Sequence, residues 1–154
     1  MLNVRKIADI NEFYKLGSIW NKVLADSGMN NPYLTHNWFR IAYEYFEKES
    51  KLFILLVYDK AEVIAIAPLL ISNKRMFGFH LKQLRFLENI HTPFQDFIIK
   101  KKNQESLAAI IDYLQKIPYS LDSRDLPPER QVILVTQGLK DLALEFGVPV
   151  VAVA

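Results

Sequence analysis

The 154-residue sequence has no cysteine and only five glycines, and its longest apolar run, VIAIAPLLI, spans nine residues. The absence of cysteine excludes disulfides, thiolate nucleophiles and thiolate metal sites, and it suits the reducing cytoplasm. A nine-residue run is too short to cross a membrane, and the first residues lack the apolar region of a signal peptide. We therefore expect a cytoplasmic protein without a membrane span.

The chain carries a net charge of +2, and 51% of its residues are apolar. Such a composition at this length predicts one globular domain with a real core. The small charge gives no reason to expect nucleic acid or acidic lipid as a partner. Basic and aromatic residues alternate between Lys74 and Phe86, which is more typical of the solvated face of a strand than of a stacking surface for nucleic acid. Three scattered histidines provide no zinc spacing.

Two helices are predicted in the first 50 residues. Asp9 is suited to cap the first helix and Gly28 to end it, with apolar residues at helical spacing between them. Pro32 closes the following loop, and the second helix begins at Thr35 or Asn37. The face predicted to be buried on this second helix consists of Trp38, Ile41, Ala42 and Tyr45.

From Lys51 onward the hydrophobic pattern becomes that of strands. The runs KLFILLVYD and EVIAIAPLLIS, joined by the polar turn DKAE, predict an antiparallel hairpin that is buried on both faces. HLKQLRFLE and FQDFIIK predict two more strands, with KRMFGF as the turn between the second and third strands. The fold class is therefore α+β, with two N-terminal helices and a mainly antiparallel sheet of about four strands.

The segment IIDYLQKIP, residues 110 to 118, has two interpretations. It completes an amphipathic helix over residues 103 to 116, because Leu107, Ile110, Ile111 and Leu114 fall on one face. It also fits a buried strand that ends in an exposed aspartate, as found where a metal-bound nucleotide is held. The two interpretations give Asp112 different roles.

His91 and Asp96, in the stretch NIHTPFQDF, are candidates for chemistry. They could form a general acid and base pair or bind a substrate hydroxyl. The commoner role for a loop histidine near an aspartate at the start of a strand is a turn held by local hydrogen bonds. Both interpretations stay open at this point.

The order of these elements, with the motifs NPYLTHNWF, AIAPLLI, LRFLEN and FQDFII, resembles a known family. Residues 5 to 117 resemble the amino-terminal half of acetyltransferase-like proteins of the cellulose-biosynthesis CelD type, in the wider GNAT and Fem-like group. No single motif is specific, and the resemblance depends on their order and spacing.

That resemblance implies a GNAT-like half domain and an acyl-CoA N-acyltransferase activity that uses acetyl-CoA. Members of the family pair two such halves, and the acyl-CoA site is expected in the second half. A GNAT site grips pyrophosphate through backbone N–H groups at a helix N-terminus, usually in a glycine-rich turn. The five glycines here are scattered. We therefore expect a truncated acetyltransferase-like protein that is inactive alone, with no acceptor substrate identified.

The end of the chain resembles a different family. IIDYLQKIP followed by RQVILVTQGLKDLALEFGVPVVAVA is similar to the core of DnaB-type replicative helicases, which are RecA-fold ATPases. Carried over, Asp112 would be the Walker B carboxylate that orients Mg²⁺ through water. The chain has no G-x-x-x-x-G-K-[ST] phosphate loop, so this resemblance implies no nucleotide affinity on its own.

Composition changes where the two resemblances meet. Asn, Lys, Ile, Phe and Tyr number 50 in the first 118 residues and only 4 in the last 36. We therefore expect a GNAT-like unit at residues 1 to 118 and a helix-strand tail at residues 119 to 154. Three hypotheses are compatible with this division: a truncated acetyltransferase-like protein, a fragment of a helicase ATPase, or a chimeric fusion without a selected function.

Overall fold

The computed structural model describes residues 2–76, 79–88, 92–93, 95–101 and 105–116. The chain divides into two units, Met1–Pro118 and Tyr119–Ala154, and every described residue belongs to the first. The helix-strand tail expected at residues 119 to 154 therefore lies outside the described residues.

The described residues form five strands and four α-helices, which confirms the α+β class. The strands are β1 (Leu2–Ile7), β2 (Lys51–Asp59), β3 (Glu62–Met76), β4 (Phe79–Phe86) and β5 (Ile98–Ile99). All pairings are antiparallel, in the order β1-β2-β3-β4, and β5 pairs with β3 beside β4. The helices are α1 (Ile10–Lys15), α2 (Gly17–Ser27), α3 (His36–Ala42) and α4 (Glu105–Gln115).

The β2–β3 hairpin is the centre of the sheet and agrees with its prediction. Lys60, with a φ of 53°, and Ala61 form the turn between Asp59 and Glu62. Residues 52 to 57 of β2 and 63 to 70 of β3 are buried without interruption. A strand residue can be buried at every position only when both faces of the sheet are covered. The prediction that this hairpin is buried on both faces is confirmed.

Two strand boundaries differ from the prediction, and one strand was missed. β3 continues to Met76 and pairs with β4, so the stretch KRM belongs to a strand and not to the predicted turn. FQDFIIK contributes only Ile98–Ile99 as strand. β1 pairs with β2 along its whole length, from Leu2 with Asp59 to Ile7 with Ile54. The sequence of β1 is polar and half-exposed, like that of a loop. It forms a strand because, at the edge of the sheet, its stability comes from pairing with β2.

Helices cover the two faces of the sheet. Leu52, Ile54 and Leu56 of β2 belong to the core cluster that contains the buried residues of α1, α2 and α3. The alternate residues of β2 point to the other face, since strand side chains alternate. Ile110 and Leu114 are buried but lie outside that cluster, and α4 contacts β1, β2 and β3. α4 therefore packs on the opposite face.

The first predicted helix is broken into α1 and α2 at Leu16. The Asp9 side chain accepts hydrogen bonds from the N–H groups of Asn11 and Glu12, both at 2.9 Å, so the predicted cap is confirmed. The predicted stop is also confirmed, because Gly28 adopts a left-handed conformation with a φ of 75°. At the break, the Leu16 N–H donates to Phe13 O, three residues back, which tightens the last turn of α1.

Helix α3 begins at the predicted cap, and Ala42 of its predicted face is buried, but two other predicted residues, Ile41 and Tyr45, are exposed. The Thr35 hydroxyl accepts a bond from the Trp38 N–H at 3.4 Å. The buried residues are His36, Phe39 and Ala42, whereas Ile41 is 45% exposed and Tyr45 is 74% exposed. The Phe39 ring packs 5.2 Å from the Trp20 ring, which turns the Phe39 side of the helix toward the core. Tyr45 lies in a π-helical turn, Tyr43–Glu47, where the 3.6-residue period of the α-helix no longer holds.

The ambiguous segment IIDYLQ is helical. α4 includes it, and the buried positions Ser106, Ile110 and Leu114 recur every four residues, as one face of a helix requires. The alternative interpretation of this segment as a strand is therefore wrong.

The short strand β5 is held by charges as well as by the sheet. Lys100 Nζ lies 2.5 Å from Glu62 Oε1 and 2.9 Å from Asp26 Oδ2, so it joins the end of β5 to the start of β3 and to α2. Hydrogen bonds from Lys100 lower the pKa of both carboxyl groups below their ordinary values. Strand β5 has only two residues, and this bridge ties the residue that follows it to β3 and α2.

Ser106 is completely buried, and its hydroxyl has no hydrogen-bond partner among the described residues. Since a buried hydroxyl without a partner costs free energy, we expect Ser106→Ala to leave the free energy of unfolding unchanged or raise it by up to about 1 kcal/mol. The matched control is Ser27→Ala, because the Ser27 hydroxyl donates to Leu24 O at 2.6 Å and accepts from the Met29 N–H at 3.1 Å. That variant should lose about 1 kcal/mol in urea denaturation. Equal losses in the two variants would contradict the assignment of Ser106 as unpartnered.

His36 is buried at the break between α1 and α2. Its Nε2 donates to Phe13 O at 2.8 Å, and its ring packs 4.8 Å from the Phe13 ring and 5.6 Å from the Trp20 ring. A Cβ atom at Gly17 would lie 3.3 Å from its Nδ1, so the imidazole rests directly on the start of α2. Burial lowers the pKa of His36 below its ordinary value of 6.5.

This burial predicts acid sensitivity. Because the pKa is lowered in the folded state, the unfolded chain takes up the proton first, and stability is lost as pH falls below 6.5. We expect the free energy of unfolding to fall by at most about 1.4 kcal/mol per pH unit through this group. Urea denaturation of the wild-type chain and of His36→Leu should be compared between pH 7.5 and 5. The difference between the two curves isolates His36, and parallel curves would rule out its contribution.

Candidate functional site

The structure places Asp96 but not its predicted partner. Asp96 Oδ1 accepts a hydrogen bond from the Phe97 N–H at 2.7 Å, a local bond of the kind that holds turns. His91 lies outside the described residues. A functional pairing of His91 with Asp96 therefore stays a prediction.

Asp112 lies on the exposed side of α4, four residues before Lys116. Its carboxylate forms an ion pair with Lys116 Nζ at 2.7 Å, and the two side chains are 61% and 73% exposed. The Walker B interpretation expects an aspartate at the end of a buried strand, whereas Asp112 is a helix residue. The observed contact is an ordinary surface pair, of a kind that contributes a few tenths of a kcal/mol.

Thr92, in the connection from β4 to β5, contacts Trp38 of α3. Trp38 Nε1 donates to the Thr92 hydroxyl at 3.1 Å, and the Trp38 ring packs edge-on against Tyr33 with centroids 4.8 Å apart. The chain leaves the sheet after the Leu87 N–H has bonded to Pro68 O. Pro68 has no N–H group to donate to a strand on that side of β3. Its position therefore agrees with the interruption of pairing between β4 and β5 along β3.

An open cleft of about 770 Å³ lies between the π-helical turn and the paired strands β3 and β4. We call it the Arg85 cleft. It is lined by residues of the π-helical turn and the loop after it, of β3, and of β4 with its end: Tyr45, Phe46, Glu47, Lys48, Glu49, Ser50, Ser72, Asn73, Gln83, Arg85 and Glu88. Polar groups and exposed aromatic rings are combined in it, as is common in sites that bind small ligands.

Arg85 is fixed in this cleft by all of its nitrogen atoms. Nη2 pairs with Glu47 Oε2 at 2.6 Å, Nε donates to the Ser72 hydroxyl at 3.2 Å, and Nη1 reaches Phe86 O at 3.5 Å. The Arg85 and Glu47 side chains are only 24% and 14% exposed. Such a half-buried pair is stronger than an exposed one, because water screens it less.

The π-helical turn brings Glu47 to this pair. The Tyr43 hydroxyl donates to Ser50 O at 3.1 Å, and the Ser50 hydroxyl donates to Glu47 Oε2 at 2.9 Å. Glu47 Oε2 thus receives bonds from both Ser50 and Arg85. Single π-helical turns are frequent at functional sites, since they redirect side chains that an α-helix would place elsewhere.

Glu88 is a further carboxyl group that lines the cleft. Burial raises its pKa above the ordinary value of 4.5, and Glu47 raises it further, whereas Arg85 acts in the opposite direction. Among the described residues none donates a hydrogen bond to Glu88. A partly desolvated carboxylate that lines a cleft is a candidate ligand-binding or acid/base group.

Sequence reasoning did not find this cleft. Glu47 and Arg85 are 38 residues apart, and no spacing rule connects them. The available signal was an arginine within the apolar run LRFL of β4, where a charge needs a partner. Among the described residues no group of three or more histidine, aspartate or glutamate side chains could hold a metal ion. No helix in that part of the chain is long and apolar enough to span a bilayer.

Comparison of the chain with protein-family models, with curated proteins and with solved structures returned no match in any of the three.

The Arg85–Glu47 pair should be energetically coupled. In a double-mutant cycle with Arg85→Met and Glu47→Gln, we expect a coupling free energy of about 1 to 3 kcal/mol, measured by urea denaturation. The control cycle is Arg5→Met with Glu12→Gln, because that pair has a similar N···O distance, 2.7 Å against 2.6 Å, but side chains that are 58% and 46% exposed. The control coupling should stay below about 1 kcal/mol. Similar values for the two pairs would show that burial does not strengthen the Arg85 pair.

Proposed function

We propose that this chain is an acetyltransferase-like protein of the GNAT and CelD type, whose residues 2 to 116 serve as a scaffold half, and that this scaffold does not transfer an acyl group by itself. The order of elements after β1 supports the proposal: helices, then an antiparallel hairpin, two further strand segments and a helix. The same order, read from the sequence, underlies the resemblance to that family. Fold alone does not establish activity, so the role proposed for these residues is that of a structural scaffold.

The proposed lack of transfer follows from the connection between β5 and α4. A GNAT-type site holds the pyrophosphate of acetyl-CoA with backbone N–H groups at a helix N-terminus, where glycine allows close approach. Residues 100 to 104 before α4 read KKKNQ and contain no glycine. In our proposal, acyl-CoA is therefore bound by residues outside this scaffold, and the protein acts in the cytoplasm.

The helicase alternative receives less support from the described residues. Its segment would be a strand of a parallel sheet, whereas IIDYLQ lies in α4 and the described strands pair only in antiparallel fashion. A chimeric fusion stays a hypothesis about the gene, to be examined in the genomic sequence around codons 105 to 125.

The first test is a search for turnover. We expect the full chain, incubated with acetyl-CoA and a panel of amine and sugar acceptors, to release free thiol only at the background rate. The physical reason is that residues 100 to 104 contain no glycine, the residue that allows the close approach of a backbone N–H group to pyrophosphate. Turnover that Asp96→Ala abolishes would overturn the proposed inactivity and would restore Asp96 as a catalytic candidate.

The second test is a gain of binding. Residues 101 to 104 are replaced by a glycine-rich turn, and in the matched control by four alanines. If β5 and α4 have the acetyltransferase arrangement, the glycine variant should bind CoA, and neither the control nor the wild type should. Saturation at 100 times the Kd adds about 2.7 kcal/mol of stability, which a thermal shift detects. CoA affinity in the wild type or in the alanine control would contradict the proposal that acyl-CoA is bound outside this scaffold.

A further inference from the structure

We propose that the Arg85 cleft is a binding site for a small organic ligand with a protonated primary amine, and that Glu88 is its principal contact. The cleft of about 770 Å³ is large enough for such a molecule. This proposal depends on the geometry of the cleft and holds whether or not the chain is acetyltransferase-like.

An anionic ligand is disfavoured because the hydrogen-bond donors of the half-buried cation in the cleft already have acceptors. Arg85 donates through Nε to Ser72, through Nη2 to Glu47 and through Nη1 to the Phe86 carbonyl. An incoming carboxylate or phosphate would have to displace Glu47 from a 2.6 Å ion pair. The remaining cation in the lining, Lys48, is exposed and therefore hydrated.

The cleft contains carboxylate oxygens that receive no hydrogen bond from a described residue. Glu88 is partly buried and receives no hydrogen bond from any described residue, and Glu47 uses only Oε2 in its contacts with Arg85 and Ser50. Glu49 also lines the cleft, so three carboxylates face two cations there. A ligand that supplies N–H donors and one positive charge completes this arrangement, because a charge-assisted hydrogen bond to a desolvated carboxylate is among the stronger polar contacts.

The rest of the lining suits the organic part of such a ligand. Tyr45 and Phe46 line the cleft with 74% and 52% of their surfaces exposed. Aromatic faces attract both alkyl chains and ammonium groups. Asn73 and Gln83 provide amide groups on the strand side of the cleft, which can bond further polar atoms of the ligand.

The experiment titrates the ¹⁵N-labelled full chain with benzylamine and follows the amide resonances. Benzyl alcohol is the neutral control of nearly the same shape, and benzoate is the anionic control. We expect benzylamine alone to shift the resonances of residues 45 to 50, 72, 73, 83, 85 and 88. Glu88→Gln keeps the shape of the side chain and removes its charge, so the Kd for benzylamine should rise about tenfold or more. Glu105→Gln, which removes an exposed carboxylate on α4, should leave that Kd unchanged.

A pH series of the wild-type chain provides a readout that needs no variant. The groups around Glu88 in the cleft are Arg85, Glu47, Glu49 and Lys48. Since the amine binds the deprotonated carboxylate, its affinity should fall as pH drops toward the raised pKa of Glu88. Equal binding of benzyl alcohol and benzylamine, or shifts confined to other parts of the chain, would overturn the proposal. An unchanged Kd in folded Glu88→Gln would do so as well.

Discussion

The structure depends on one constraint, which is that the central hairpin must be covered on both faces. Residues 52 to 57 and 63 to 70 are apolar at nearly every position, whereas an antiparallel strand with one wet face alternates apolar and polar residues. Two separate layers of helix meet this requirement. Helices α1 to α3 contribute Phe13, Trp20 and Phe39 to one side, and α4 contributes Ile110 and Leu114 to the other. Burial of side chains of this size contributes about 1.5 to 3 kcal/mol each relative to exposure.

The Arg85 cleft lies where this covering ends. β2 pairs with β3 only as far as Lys51 with Ile71, and beyond that point β3 pairs with β4 alone. Ser72 and Asn73 of β3 and Gln83 of β4 therefore line open space instead of a core. The π-helical turn ends the first helix layer at the same place and brings Glu47 to Arg85. The cleft thus follows from a strand that is longer than its neighbour and from a helix layer that stops beside it.

Local signals predicted much of this fold, and the failures have physical reasons. Caps such as Asp9, Thr35 and Gly28 could be predicted because capping chemistry involves residues only two or three positions apart. The α+β class and the hairpin followed from a change of hydrophobic period. β1 was missed because an edge strand can be polar. Ile41 and Tyr45 of the predicted α3 face are exposed because the contact between Phe39 and Trp20 turns a different side of the helix toward the core. The Arg85–Glu47 pair could not be predicted, since only tertiary packing brings these residues together.

The helical conformation of the segment IIDYLQ also follows from the need to cover both faces of the central hairpin. Its apolar residues permit a buried strand or a helix with one apolar face, and nothing within the segment decides between them. The hairpin decides, because its second face would otherwise meet water, and a helix with Ile110 and Leu114 on one side can cover it. The same choice leaves Asp112 on the outer side of α4, where Lys116 and water satisfy its charge. In α4 this carboxylate is an exposed surface group, and it does not stand at the strand end that the Walker B interpretation expects.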